Sequence, residues 1–299
     1  MSFSSDIKTE LTKIRMADCC SLAECYGMLL FSRSFTENEV SLSVSNLDTA
    51  KHFASLMHRC FDCRVVITEK GEKRKIYKAY IKGEADKIRM LNTYKNGMNC
   101  GFDSINHDKL AKECCMSAFL RGAFLAAGSV SNPEKQYRLE FVVKDNNLAV
   151  DLYGLLYRKH LNPYMSTRGK SIIVYIKKSE DIEDFLTVID APHYSLEMMS
   201  AKVVKEIRNT ENRRTNYETA NIAKAAGAAV TQNEAIKKLK KSGKLVSLSD
   251  ELKLAAKLRS ENPDASLSEL VKIINSKGIT ITRSGLNHRL NKLIELSKE

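Results

Sequence analysis

Long apolar runs are missing from this 299-residue chain. None approaches the roughly 18 residues that a membrane-spanning helix requires. The first residues, MSFSSDIKTELTKI, carry scattered charges and no apolar segment of the kind a secretory signal needs. A cytoplasmic protein with no membrane partner is expected. The sequence also lacks a glycine-rich phosphate loop and any serine or cysteine triad in a defined context, which removes phosphate-loop nucleotidases and triad hydrolases from the candidates. Zinc chemistry has little footing. Cys60 and Cys63 form a CxxC with His58 nearby, but no second matching pair completes a four-ligand site. The eight cysteines, Cys19, Cys20, Cys25, Cys60, Cys63, Cys100, Cys114 and Cys115, are therefore expected to be free thiols. Neither a metal nor a cofactor is expected. Cys114 and Cys115, being adjacent, point to different faces of a helix, so one of them should be packing. His52, His107, His160 and His193 read as structural or surface residues.

What the chain does contain is 43% hydrophobic residues, enough to bury a sizeable core, and length enough for two domains. Its formal charge is +12. From Lys202 to the end stand 20 Lys+Arg and 11 Asp+Glu, a net of +9, against 28 and 25, a net of +3, in the first 201 residues. The basic excess is C-terminal. It suits a polyanionic partner, although a solvated lysine-rich face explains such a bias as well, so nucleic acid needs a second signal.

An internal repeat organises the first 190 residues. Gly27, Leu30 and Ser34 recur as Gly122, Leu125 and Ser129 at a separation of 95; Ala50, Leu56 and Arg59 recur as Ala149, Leu155 and Arg158 at 99. Tyr80, Ile81 and Lys82 return as Tyr175, Ile176 and Lys177, at 95 again. Each copy runs in one order: a helix with small residues (Leu22 to Ser32; Ala118 to Ala127), alternating β-type sequence (SLSVS; YRLEFVV), an amphipathic helix, then further strands such as KIYKAYI and SIIVYI. The class is α+β with mainly antiparallel sheets.

The stretch LRGAFLAAG, Leu120 to Gly128, resembles the LAGLIDADG motif of homing endonucleases. Leu120, Gly122, Ala126 and Gly128 match outright, and Phe124 replaces a similar apolar residue. The counterpart from Cys25 to Arg33 is more degenerate and rests mainly on Gly27 and the repeat. The resemblance implies two motif helices packed closely at a pseudo-two-fold axis. In the enzymes, one acid at the end of each helix holds divalent metal for phosphodiester hydrolysis, because hard cations need oxygen ligands, preferably carboxylates. Here those positions hold Ser32 and Ala127, and Leu125 replaces the motif's other acid. No catalytic residue is expected.

Further segments resemble the WhiA family of bacterial regulators: SFSSDIKTEL at the start, NRRTNYETANIAKAAGAAVTQNEAI from Asn212, and SGLNHRLNKL from Ser284. The resemblance covers essentially the whole chain. It implies a two-repeat LAGLIDADG homing-endonuclease-like domain followed by an all-α helix-turn-helix domain. It further implies a non-enzymatic, nucleoid-associated protein that binds double-stranded DNA, linked to cell division and chromosome segregation or, in spore-forming filamentous bacteria, to transcription at sporulation.

The expected domains are 1–190, with repeats at about 1–95 and 108–190, a connecting helix and hinge at 191–217, and a DNA-binding domain at 218–299. Leu196, Met199, Val203 and Ile207 mark the connecting helix after Pro192, and the polar NTENRRTN marks the hinge. An alanine-rich helix follows from Glu218 to Lys241, and another around Leu252, Ala255 and Leu258 is stopped by Pro263. The helix-turn-helix is expected at about 266–297. Ser266 and Glu269 have capping-box spacing, Leu267, Leu270, Ile273 and Ile274 form one face, and Gly278 provides the turn. The second helix begins near Thr282 and buries Leu286, Leu290, Leu293 and Ile294. Ser284, His288, Asn291 and Lys292 then face outward, Asn287 flanks them, and Arg283 and Arg289 border the same surface. In the major groove, Asn pairs with adenine and Arg with guanine, while Ser and Lys serve phosphates or either base.

Two other readings compete. In one, the repeat domain docks another transcription factor and only the small domain touches DNA. In the other, the chain is a nuclease whose acids have moved, with Glu37, Glu134 or Asp145 reaching the centre.

Overall fold

The structure, a computed structural model, describes residues 2–72, 75–95 and 103–298; Cys100 lies outside them. The chain divides into two compact units, Met1–Glu206 and Ile207–Glu299.

Unit 1 opens with helix α1 (Phe3–Leu11). Its first repeat then runs α2 (Asp18–Leu30), β1 (Ser34–Phe35), β2 (Val40–Val44), α3 (Leu47–Phe61), β3 (Val65–Lys70), β4 (Ile76–Ile81) and α4 (Glu84–Lys95). The second runs α5 (Glu113–Ala127), β5 (Gly128–Val130), β6 (Leu139–Val143), α6 (Asn146–Arg158), β7 (Tyr164–Arg168), β8 (Ser171–Ile176) and α7 (Ser179–Val188). The two four-stranded sheets have the same order, β1-β2-β4-β3 and β5-β6-β8-β7, and their described pairings are antiparallel. Register repeats too: Ser41 pairs with Tyr80 as Glu140 pairs with Tyr175. Alternation sets which face is buried. Leu139, Phe141 and Val143 point into the core while Val142 faces out. Even the caps recur, Asn46 accepting from the amide of Thr49 at the start of α3, and Asp145 from those of Asn147 and Leu148 at the start of α6.

The two motif helices pack against each other through their glycines. A Cβ on Gly27 would lie 2.2 Å from the Phe119 carbonyl oxygen, and one on Gly122 would lie 2.1 Å from that of Glu24. Backbone meets backbone here, which is why this interface requires residues without side chains. The same close packing gathers thiols that spacing along the chain leaves apart. Cys19, Cys20, Cys114 and Cys115 occupy the first turns of α2 and α5, and their four Sγ atoms lie within 4.8 Å of one another. One residue of each adjacent pair is buried, Cys20 and Cys115, and one is exposed, Cys19 and Cys114.

Helix α8 (Pro192–Lys241) differs from the expected helix, hinge and second helix, for it is continuous through NTENRRTN. Polarity alone does not break a helix. No Gly or Pro occurs between Pro192 and Gly227, and Arg214 pairs with Glu218 one turn on at 3.1 Å. The division between the units, at Glu206 and Ile207, falls inside this helix. Its apolar stripe is also not what anchors it. Leu196, Met199, Val203 and Ile207 are exposed, while Met198 and Ser195 are buried, the Ser195 hydroxyl donating to the Glu183 carbonyl at 2.9 Å.

Unit 2 packs the end of α8 against α9 (Asp250–Glu261), α10 (Leu267–Ser276) and α11 (Arg283–Leu296). Ile236, Leu239, Leu258, Leu270, Ile274, Leu286, Leu290 and Leu293 form its core. Among the described residues no helix is long and apolar enough to cross a membrane.

Candidate nucleic-acid interface

Helices α10 and α11 form the helix-turn-helix. The Ser266 hydroxyl accepts from the Glu269 amide at 3.3 Å and the Glu269 carboxylate accepts from the Ser266 amide at 2.7 Å, so the capping box is complete. Those bonds hold the Glu269 carboxyl below its ordinary pKa. Gly278, at φ 83°, makes the turn in the left-handed region. Asn275 then fixes the approach to α11, its side-chain oxygen accepting from the Ile281 amide at 3.0 Å. Thr282 caps α11 by accepting from the Gly285 amide at 3.1 Å.

Arg259, 2% exposed, braces this unit from inside. Its Nε donates to Gln232 of α8 at 2.9 Å and its Nη1 to the Ala265 carbonyl at 2.6 Å, next to the capping box. Burial lowers its pKa from the usual guanidinium value.

With Leu286, Leu290 and Leu293 buried, α11 turns Ser284, His288, Asn291 and Lys292 to solvent, with Arg283 also exposed and Asn287 half-buried at the flank. Lys292 pairs with Glu295 on the same helix at 3.2 Å, an exposed pair that a phosphate can displace. Arg289 stands at the border of that face, half-buried. Its side chain lies on the flank toward α9, where Nη2 meets the Glu251 carboxylate at 3.0 Å.

Unit 1 carries a cleft of about 900 Å³ lined by residues of both repeats, including Ser32, Arg33, Asn46, Ala127, Lys144 and Asp145. Ser32 and Ala127 sit where the motif resemblance places the acids, and neither brings a carboxylate. Ser32 Oγ is buried with no hydrogen-bond partner among the described residues. A cation occupies this region. Lys8 Nζ donates to the Leu125 carbonyl at 3.1 Å, at the C-terminal end of α5, and burial lowers its pKa to about 8. Sequence reasoning missed Lys8, because an amphipathic N-terminal helix gives no sign of what its lysine will face. Of the acids that a nuclease reading moves inward, Asp145 lines the cleft but serves as the α6 cap, and Glu37 and Glu134 lie outside the lining. On the two sheets, Lys78 pairs with Glu39 at 2.7 Å, and Arg138 and Arg168 share Glu140 at 2.9 and 3.5 Å. These cations already have acidic partners.

Known proteins match along the whole length. The model of the WhiA LAGLIDADG-like domain matches residues 116–208, and that of the WhiA C-terminal HTH domain matches residues 212–297. The probable cell division protein WhiA of Bacillus velezensis is 35% identical over 310 residues, covering 100% of this chain and 97% of that one. Its counterpart in Bacillus cereus is 34% identical with the same coverage. Among solved structures, full-length DUF199/WhiA from T. maritima is similar in fold, with a TM-score of 0.60 at 22% identity, covering 100% of this chain and 98% of that one. On the two domain matches in tandem and the full-length identity, the chain belongs to the WhiA family.

Proposed function

We propose that this protein is a sequence-specific binder of double-stranded DNA that acts in cell division at the nucleoid, with α11 as its reader and no enzymatic activity. One observation carries the reading: a doubly capped helix-turn-helix presents Ser284, His288 and Asn291 on one exposed face with Arg283 and Asn287 beside them, inside the basic C-terminal part of the chain. Regulation of transcription and a part in chromosome segregation are proposed roles of the same contact.

The test is binding of the full chain to genomic target sites and to random DNA. Asn291→Ala and Asn287→Ala are expected to reduce discrimination by about 1 to 3 kcal/mol per lost base contact, whereas Lys292→Ala should weaken target and random DNA about equally. Arg289→Ala, which removes a guanidinium at the border of the same face along with its pair to Glu251, should reduce discrimination as well. Affinity should fall steeply with salt. Unchanged discrimination in both asparagine variants would remove α11 as the reader.

Absence of hydrolysis is a separate expectation, resting on Ser32, Ala127 and the Lys8 ammonium near the helix end. Supercoiled plasmid incubated with the protein and magnesium or manganese should stay intact. Nicking that a chelator abolishes would overturn it.

A second reading has unit 1 dock another transcription factor. The acid-paired cations of its sheets and the exposed apolar residues Leu196, Met199 and Val203 of α8 support it.

A further inference from the structure

Four of the seven described cysteines converge on one point, and they do so by symmetry. Cys19 and Cys114 are separated by 95 residues, and so are Cys20 and Cys115, which is the offset of Gly27 and Gly122. Each adjacent pair opens one of the two motif helices, so the pseudo-two-fold axis that pairs the glycines also brings the thiols together, all four Sγ atoms within 4.8 Å. Of the other described thiols, Cys25 Sγ donates to Met57 Sδ at 3.5 Å, and Cys63 Sγ to the Phe61 and Asp86 carbonyls at 3.5 and 3.4 Å.

We propose that Cys19, Cys20, Cys114 and Cys115 bind one zinc ion as a tetrahedral four-thiolate structural site that staples the two repeats together. A tetrahedron has two-fold axes of its own, so two ligands from each repeat fit it without breaking the symmetry. With Zn–S bonds of about 2.3 Å, neighbouring sulfurs in such a site lie about 3.8 Å apart. The Cys19 and Cys20 sulfurs already stand at 3.9 Å, and the whole set needs to contract by about an ångström or less. An iron–sulfur cluster uses the same ligands but spreads its thiolates wider than a single ion does.

Charge balance supports the ion as well. Binding converts four thiols to thiolates, releases their protons to solvent and leaves a complex of charge −2, with no oxidant or reductant involved. Both helices begin at this point with no side-chain cap, Ala17 standing before α2 and Lys112 before α5, so first-turn amides and the Lys112 ammonium are placed to offset negative sulfur. Solvent reaches Cys19 and Cys114, which gives the ion its way in, and the buried Cys20 and Cys115 lie behind them. All four positions are filled by protein, so the site is closed to substrate. It lies at the end of α2 and α5 opposite the cleft of Ser32 and Ala127, so it is distinct from the metal position of homing endonucleases.

The experiment uses the full chain purified under reducing conditions without chelator. Elemental analysis should return about one zinc per chain. Cobalt(II) added to the reduced, metal-stripped protein should give the visible bands of tetrahedral cobalt and strong near-ultraviolet thiolate-to-metal charge transfer, and zinc should abolish both. Cys114→Ser, at an exposed position, should weaken cobalt binding by more than about 100-fold, since even outer-shell changes cost about 10 to 100-fold, while keeping the circular dichroism of the wild type. Cys60→Ser should leave binding unchanged. Reduced wild-type protein that takes up no cobalt, iron with the broad visible absorption of a cluster, or binding lost in Cys60→Ser and kept in Cys114→Ser would each overturn the proposal.

Discussion

Gly122→Ala is expected to unfold the repeat domain or to cost it about 3 kcal/mol or more, at or beyond the upper end of ordinary overpacking. The added methyl would stand 2.1 Å from the Glu24 carbonyl oxygen and 2.9 Å from its carbon, and both atoms belong to the backbone of the facing helix. A flexible side chain can swing aside; a helix backbone can yield only by moving as a body. Gly27→Ala meets the mirror-image obstacle at the Phe119 carbonyl, 2.2 Å away. Controls are built into the chain. Gly154 in α6 and Gly227 in α8 have nothing within 4 Å of where an alanine Cβ would stand, so alanine there should leave stability unchanged or raise it by up to about 1 kcal/mol through helix propensity. Denaturant unfolding of the four variants, each followed by a probe in the unit that carries the change, separates the cases. If Gly122→Ala behaved like Gly154→Ala, close backbone contact would not be what this position requires.

Those glycines also show how much of the fold is legible in the chain. A repeat whose matched residues include a glycine inside an apolar helix carries information about tertiary contact, since glycine in mid-helix is unfavourable unless something must come close. Strand alternation and the amphipathic helices around Ala50 and Ala149 are equally readable, because period determines face. The capping box at Ser266 is a local signal and needs no tertiary information. What the chain does not make legible is of two kinds. Polar sequence at NTENRRTN imitates a break, although only Gly, Pro or a competing cap would make one, and α8 passes through it. A helical wheel places Arg289 at the border of the outward face of α11 but gives no sign of Glu251 of α9 beside it. The four cysteines are different. Their offset of 95 stands in the sequence with that of the glycines, and the repeat applied to them brings them together. Lys8 has no such signal.

Arg121→Met is expected to destabilise unit 1 by about 3 to 5 kcal/mol, the range for removing one partner of a buried ion pair. Glu24 is 0% exposed and Arg121 is 2% exposed, with Arg121 Nε donating to Glu24 Oε2 at 2.6 Å. The guanidinium also meets the Asp190 carboxylate and donates to the Ile189 carbonyl at 3.4 Å, while His52 Nε2 holds the other Glu24 oxygen at 2.5 Å. One arginine thus joins α5 to α2 and to the end of α7. Taking it away leaves a carboxylate shut off from solvent with the His52 imidazole beside it. Replacing both members, Glu24→Leu with Arg121→Met, should recover much of the loss, because the desolvation penalty leaves with the charge, and the double-variant cycle should therefore show strong coupling. Calorimetry or urea unfolding of the two single variants and the double variant gives that coupling directly. Additive losses would mean that the pair acts as two independent packing residues. Arg121 occupies the second position of the motif-like segment, where the LAGLIDADG pattern has alanine. The buried acid on the opposite helix is the physical reason a large cation is accommodated there, and the cost of separating the two measures how far this interface has diverged from the small-residue packing around it.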